Sequence, residues 1–162
     1  DTYFGEVYER GERNDYVLYN PKKGYKFTKK LIRQNRSLIW KPLEKMTTEE
    51  VKQLLAKSKV YIDFGHHPGK DRFPREAAIM GCCIITGQRG AAGNGRDIEI
   101  PSKYKFKDST AAIPQICCTI EDCLEHYEDR IDDFTEYRNK IWQEKAQFYR
   151  EAENVLNEIE KL

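Results

Sequence analysis

The 162-residue chain carries 28 Lys plus Arg against 27 Asp plus Glu, and 12% of its residues are aromatic. That length suits one domain with a sizeable core, and the aromatic content argues against disorder in spite of 34% charged residues. A net charge of +1 excludes a global pull toward nucleic acid or an anionic membrane surface, so any anion site has to be local. Residues 1–14 read as a lead-in that starts abruptly at Asp1, as an excised fragment would. After it, YVLYN (16–20), SLIWK (37–41), VYIDF (60–64) and CCIIT (82–86) are short β-rich runs, apolar on both faces as buried parallel strands are. Between them the helical period places Phe27 and Leu31 on one face of Tyr25–Gln34, and Val51, Leu54 and Leu55 on one face of Thr48–Lys57. A third helix is expected over Pro74–Met80.

The punctuation agrees with these elements. Thr47 followed by Glu50 is a capping box, Pro74 fits a first helical turn, and Gly81 is a helix stop. Strand, helix, strand, repeated with short connections, gives an α/β fold: a Rossmann-like parallel sheet with helices on both faces over residues 15–119. A long C-terminal helical segment follows over 120–162. IEDCLEHYEDRIDDF (120–134) reads as one helix, and Phe134, Tyr137, Ile141, Lys145, Phe148, Ala152, Val155 and Ile159 recur at three- and four-residue steps beyond it. About thirty residues at about 1.5 Å each would make a helix longer than this sheet needs. It fits either a self-packed or coiled-coil helix, or one that reaches a second domain.

The five cysteines, Cys82, Cys83, Cys117, Cys118 and Cys123, form two adjacent pairs and one single residue, with no CxxC. Reduced thiols in a cytoplasmic setting are the expectation. No apolar stretch approaches the roughly 18–20 residues that span a bilayer, and no basic-then-apolar leader opens the chain.

In open α/β sheets ligands sit outside the carboxyl ends of the strands, and the unusual loops here all follow strands: PKKG (21–24), HHPGKDR (66–72) and GQRGAAGNGRD (87–97). Lys22 and Lys23 stand where an ammonium meets a diphosphate, although paired lysines are also ordinary solvated surface. His66 or His67 is placed to touch a phosphate or a sugar hydroxyl, Gly69 allows close backbone approach, and Lys70, Arg72 and Arg75 bring fixed positive charge to a helix start. Glu76, about three residues into that helix, is either a ribose ligand or a favourable acid in a first turn. Asp63, at a strand end, is expected to cap the loop that follows it.

The run from Lys59 to Thr86, with FPREAAIMGCCIIT at its core, resembles the donor-binding half of two-Rossmann-domain (GT-B) glycosyltransferases, where a Glu-Ala pair opens the helix before a Gly-hydrophobic strand. The resemblance implies that Glu76 holds the nucleotide ribose, that Gly81 turns the chain into the next strand, and that Lys22 or Lys23 meets the diphosphate. It further implies transfer of a sugar from a nucleotide-diphosphate sugar, the donor substrate, to an acceptor hydroxyl. No metal or other cofactor is called for. Many retaining members carry a first Glu eight positions before the ribose Glu, where this chain has Pro68, so retention is not inferred. The partner implied is an N-terminal acceptor-binding domain, onto which the closing helix with Trp142 and Phe148 would cross. An alternative is a non-catalytic α/β regulatory or binding module using the same loop rim.

Overall fold

Four β-rich runs become one parallel sheet in the computed structural model, which describes residues 11–66, 72–89 and 98–162; three are buried, whereas Ile39–Pro42, expected to be buried on both faces, is an edge strand with Ile39 49% exposed. Strands β1 (Asn14–Tyr19), β2 (Ile39–Pro42), β3 (Ser58–Asp63) and β4 (Cys83–Thr86) lie in the order β2-β1-β3-β4. Helices α1 (Tyr25–Gln34), α2 (Thr48–Ala56) and α3 (Arg72–Ile79) make the crossovers. The chain steps outward from β1 to β2 and then back past β1 to β3, so right-handed connections put α1 on one face and α2 with α3 on the other. That reversal leaves a crevice between β1 and β3, the topological switch point.

Local chemistry accounts for the boundaries. The Thr47 hydroxyl accepts from the Glu50 N–H, and the Glu50 carboxylate accepts from the Thr47 N–H, so the capping box closes α2 as expected. Gly81, at φ 91°, ends α3 in the left-handed region that a side chain disfavours. Helix α3 starts at Arg72, two residues before the expected Pro74, because Arg72 reaches Glu76 one turn on and Pro74 still falls where no intrahelical N–H partner is required. Glu76 therefore lies in the second turn, and the reading of it as a first-turn acid is corrected. The edge strand β2 ends on Pro42, a position with no inner ladder bond to lose.

The core is continuous through Val17, Leu18, Leu31, Leu55, Val60, Ile62, Ile84 and Ile85, all fully buried. Four cysteines are buried and Cys118 is exposed. Burial pushes the Cys82 thiol up to about 12 against the opposing influence of Arg13, which keeps it protonated at neutral pH.

The C-terminal third corrects the single-helix reading of 120–134. Helix α4 (Ile113–Glu125) begins earlier, so a division at 119/120 falls inside it. It ends at His126, α5 (Tyr127–Arg130) makes one turn, and Ile131–Phe134 is a 3-10 turn. Across the break Tyr127, Ile131 and Phe134 remain buried in the core. The Tyr127 hydroxyl donates to the Gly81 carbonyl at 2.6 Å, tying the break to the turn after α3. Helix α6 (Thr135–Glu160) has 26 residues and a length of about 39 Å. Tyr137 and Ile141 are buried at its start, each contributing about 1.5–3 kcal/mol, whereas Phe148, Tyr149, Val155, Leu156 and Ile159 stand exposed.

Candidate functional site at the carboxyl rim

Three strand-end loops interlock beside the switch point. Asn20 ends β1 and folds the next residues back: its side-chain oxygen accepts from the Lys22 N–H at 3.0 Å and its carbonyl from the Lys23 N–H at 3.2 Å. Gly24 follows at φ 62°, so close to the end of β3 that a Cβ would sit 2.5 Å from the Phe64 carbonyl. Gly65 faces the first loop in return, where a Cβ would lie 2.7 Å from that of Lys23. The loop after β4 joins through the Gly87 N–H, which donates to the Asp63 carbonyl at 3.0 Å. Asp63 caps the turn after β3, as expected: one carboxylate oxygen accepts from the Gly65 N–H at 3.0 Å and the other from the Tyr61 hydroxyl at 2.8 Å.

A pocket of about 280 Å³ opens between these loops and the start of α3, lined by Asn20, Lys23, Asp63, Arg72, Phe73 and Pro74. Of the expected site residues, the structure brings Lys23 and Arg72 together on it. Glu76 is not on its wall but behind Arg72, whose Nε donates to the Glu76 carboxylate at 2.6 Å. Arg72 is 66% exposed along its side chain and Glu76 10%, so the pair runs from solvent into the fold. Only the Arg72 end of this i,i+4 pair faces water, and Glu76 is buried, so it is not an ordinary surface ion pair. Glu76 lies where α3 meets α6, close enough to Lys145 for its charge to hold that ammonium up, although burial, Arg75 and Lys52 together bring the Lys145 pKa below its usual range.

Arg75 points elsewhere: its guanidinium pairs with Glu144 of α6 at 2.9 Å and ties α3 to α6. Lys22 is exposed on the turn beside the pocket, and His66 is exposed just past β3. His67, Gly69 and Lys70 lie outside the described residues. The sequence reading missed Asn20 and Phe73. An Asn-Pro step directly after an apolar strand was the available signal for Asn20.

The three crossover helices all start on this rim, and their first turns differ. Helix α2 opens away from the switch point with a side-chain cap and two acids, Glu49 and Glu50. Helices α1 and α3, which flank the switch point, have no acid in the first turn. Lys22, Lys23 and Lys26 surround the start of α1, while Arg72 and Arg75 occupy the start of α3. Placing cations at the positive end of a helix dipole is locally unfavourable by about 0.3–1 kcal/mol each, and a bound anion reverses the sign. Gly24 caps α1 without a side chain, so its first N–H groups are not taken by a capping side chain.

A larger cavity of about 630 Å³ lies at the amino end of the sheet, bordered by Arg13, Lys59, Glu125, His126 and Tyr127 among others. Its cations are engaged by the fold itself. Arg13 donates to the carbonyls of Leu55, Ser58 and Met80, and Lys59 to Asp15 and the Leu124 carbonyl. Volume alone is therefore a poor guide here, and the smaller pocket is the chemically equipped one.

The fold has a solved counterpart. The crystal structure of TarM, a GT-B glycosyltransferase, superposes with a TM-score of 0.63 at 11% identity, covering 94% of this chain and 37% of TarM. The likeness is one of α/β fold, and this chain spans just over a third of TarM's length. No family model matches the sequence, and no curated protein matches it. Among the described residues no helix is long and apolar enough to cross a membrane.

Proposed function

We propose that the chain is the donor-binding part of a glycosyltransferase that moves a sugar from a nucleotide-diphosphate sugar to an acceptor hydroxyl. The observation that carries this reading is the contrast among helix starts: the two beside the switch point carry bases and no acids, and the third, away from it, carries acids and its own cap. The TarM-like fold is consistent with it.

On this reading Lys23, Lys22, Arg72 and the first N–H groups of α1 take the diphosphate. Arg72 turns from Glu76 toward the phosphates, and the ribose hydroxyls replace it as donors to the buried Glu76 carboxylate. Glu76 is then presented to the ribose hydroxyls. The loop with His66, His67 and Gly69 would approach the sugar, and Lys70 would join the cations on the phosphates. Transfer breaks the bond between the anomeric carbon and the diphosphate oxygen and forms one to the acceptor oxygen, while the acceptor proton passes to a base supplied from outside these residues. Charge builds on the departing diphosphate, where fixed cations stabilise the transition state more than the ground state. The N-terminal acceptor-binding domain, a cytoplasmic setting and polysaccharide synthesis belong to the same proposal. The alternative of a receiver-like regulatory module is weakened by Asp63, since both carboxylate oxygens already accept hydrogen bonds from the fold.

Titration calorimetry with UDP, GDP, dTDP and CMP tests the reading. One of the diphosphates should bind, with Lys23→Ala and Arg72→Ala each weakening it roughly tenfold, the loss of one charge-assisted hydrogen bond. Glu76→Ala should weaken the nucleotide by a similar factor and leave inorganic diphosphate unaffected. Absence of binding by any of these nucleotides, or unchanged affinity in the Lys23→Ala, Arg72→Ala double variant, overturns it.

A further inference from the structure

Charge is distributed very unevenly over the surface. Residues 21–36 contain seven Lys and Arg and no Asp or Glu, which leaves 21 basic against 27 acidic residues in the rest of the chain. The near-neutral total therefore conceals a strongly basic segment on an acidic body. Within α1, Lys26, Lys29, Lys30 and Arg33 fall at i, i+3, i+4 and i+7, one stripe along the helix. All four are exposed, and the opposite face buries Phe27, Thr28 and Leu31 against the sheet.

Several cations elsewhere on the surface are held by carboxylates. Arg72, Arg75, Arg89, Lys103, Arg130 and Lys140 each form an ion pair with a carboxylate. Among the described residues, Lys26, Lys29, Lys30 and Arg33 form none, and neither do the flanking Lys22 and Arg36. Four like charges within about 15 Å of helix repel one another, by a few tenths of a kcal/mol for each i,i+4 pair, and no acid of α1 offsets them.

We infer that the exposed face of α1 is a docking surface for an anionic phospholipid bilayer. Lysine predominates in the segment, five of the seven basic residues, and a hydrated point charge suits a diffuse anionic surface better than the bidentate reading of individual phosphates. The stripe is straight and one helix wide, which fits a plane. Because Phe27 and Leu31 are held in the core, contact is by charge and not by insertion of α1. Tyr25, 42% exposed at the rim end of the stripe, supplies an amphipathic ring at the level of the head groups. The inference is independent of the transferase reading. Were both correct, docking through α1 would hold the donor pocket against a membrane, within reach of an acceptor carried there.

Co-sedimentation with vesicles tests it. The chain should pellet with phosphatidylcholine vesicles containing about 30% phosphatidylglycerol and not with phosphatidylcholine alone. Binding should disappear as salt rises from about 0.1 M to about 1 M and the Debye length contracts to about 3 Å. The K26Q/K29Q/K30Q/R33Q variant, which keeps good helix formers on an exposed face, should lose roughly fivefold in partitioning for each charge removed. A K57Q/K107Q/R150Q/K161Q variant removes the same charge from scattered exposed sites and should bind as the parent does. Equal partitioning onto both vesicle types, salt-insensitive binding, or full binding by the α1 variant overturns the inference. So does binding of an oligonucleotide in place of the vesicles, which would assign the stripe to nucleic acid. The lipid and salt dependence of the parent chain stands even if the variant fails to fold.

Discussion

The two ends of the sheet carry similar residues and use them differently. At the amino end Arg13 sits beside β1, donates to three backbone carbonyls and lies 5.5 Å over the Tyr127 ring. Cys82 Sγ shares two of those acceptors, Leu55 O and Ser58 O. This arginine is a staple that joins the end of α2, the start of β3 and the end of α3. At the carboxyl end Lys23 and Arg72 border an open pocket, with Arg72 about two-thirds exposed and paired with Glu76 one turn along the same helix. A count of basic residues does not separate the two ends. What separates them is whether the cation completes buried backbone hydrogen bonds or faces a space where an anion fits.

Substitutions at the two ends should part accordingly. Arg13→Ala removes three hydrogen bonds to backbone carbonyls and should lower stability by about 3 kcal/mol in urea unfolding, with nucleotide affinity of the folded fraction unchanged. Gly24→Ala forces a Cβ into the Phe64 backbone at a positive φ and should cost about 2 kcal/mol, and here the pocket should suffer too because two of its loops are pushed apart. Lys23→Ala should change stability by less than about 0.5 kcal/mol while nucleotide affinity falls. Were Lys23→Ala as destabilising as Arg13→Ala, the distinction between the two ends would fail.

The fold was legible in the sequence where local and tertiary preferences coincide. YVLYN, VYIDF and CCIIT are buried on both faces, so continuous apolar character identified them, and the Thr47–Glu50 box and Gly81 marked helix ends by backbone chemistry alone. The C-terminal third was less legible. Residues 120–134 keep a helical period through three separate elements, so periodicity does not mark the break at His126, and no local residue announces it. The start of α4 at Ile113 was signalled by Pro114 in its first turn and went unread.

The candidate site divides in the same way. Lys23 and Arg72 were legible as strand-end and helix-start cations, and the switch point follows from strand order. The direction of a side chain was not. Arg75 and Glu76 are adjacent in sequence, yet Arg75 goes to Glu144 on α6 and Glu76 to Arg72, because residues one apart on a helix point about 100° from each other. The basic stripe of α1 was visible as composition, but its lack of carboxylate partners required the packed structure.

The central claim is that an anionic nucleotide seats at the switch point between β1 and β3. Amide chemical-shift mapping during titration with the nucleoside diphosphate that binds tests it most directly. The predicted result is a contiguous set of shifts at Asn20, Lys22 to Tyr25, Phe64 to His66, and Arg72 to Phe73, with the amino end of the sheet silent. Shifts concentrated instead at Arg13, Lys59 and Glu125 to Asp129, around the larger cavity, would contradict it.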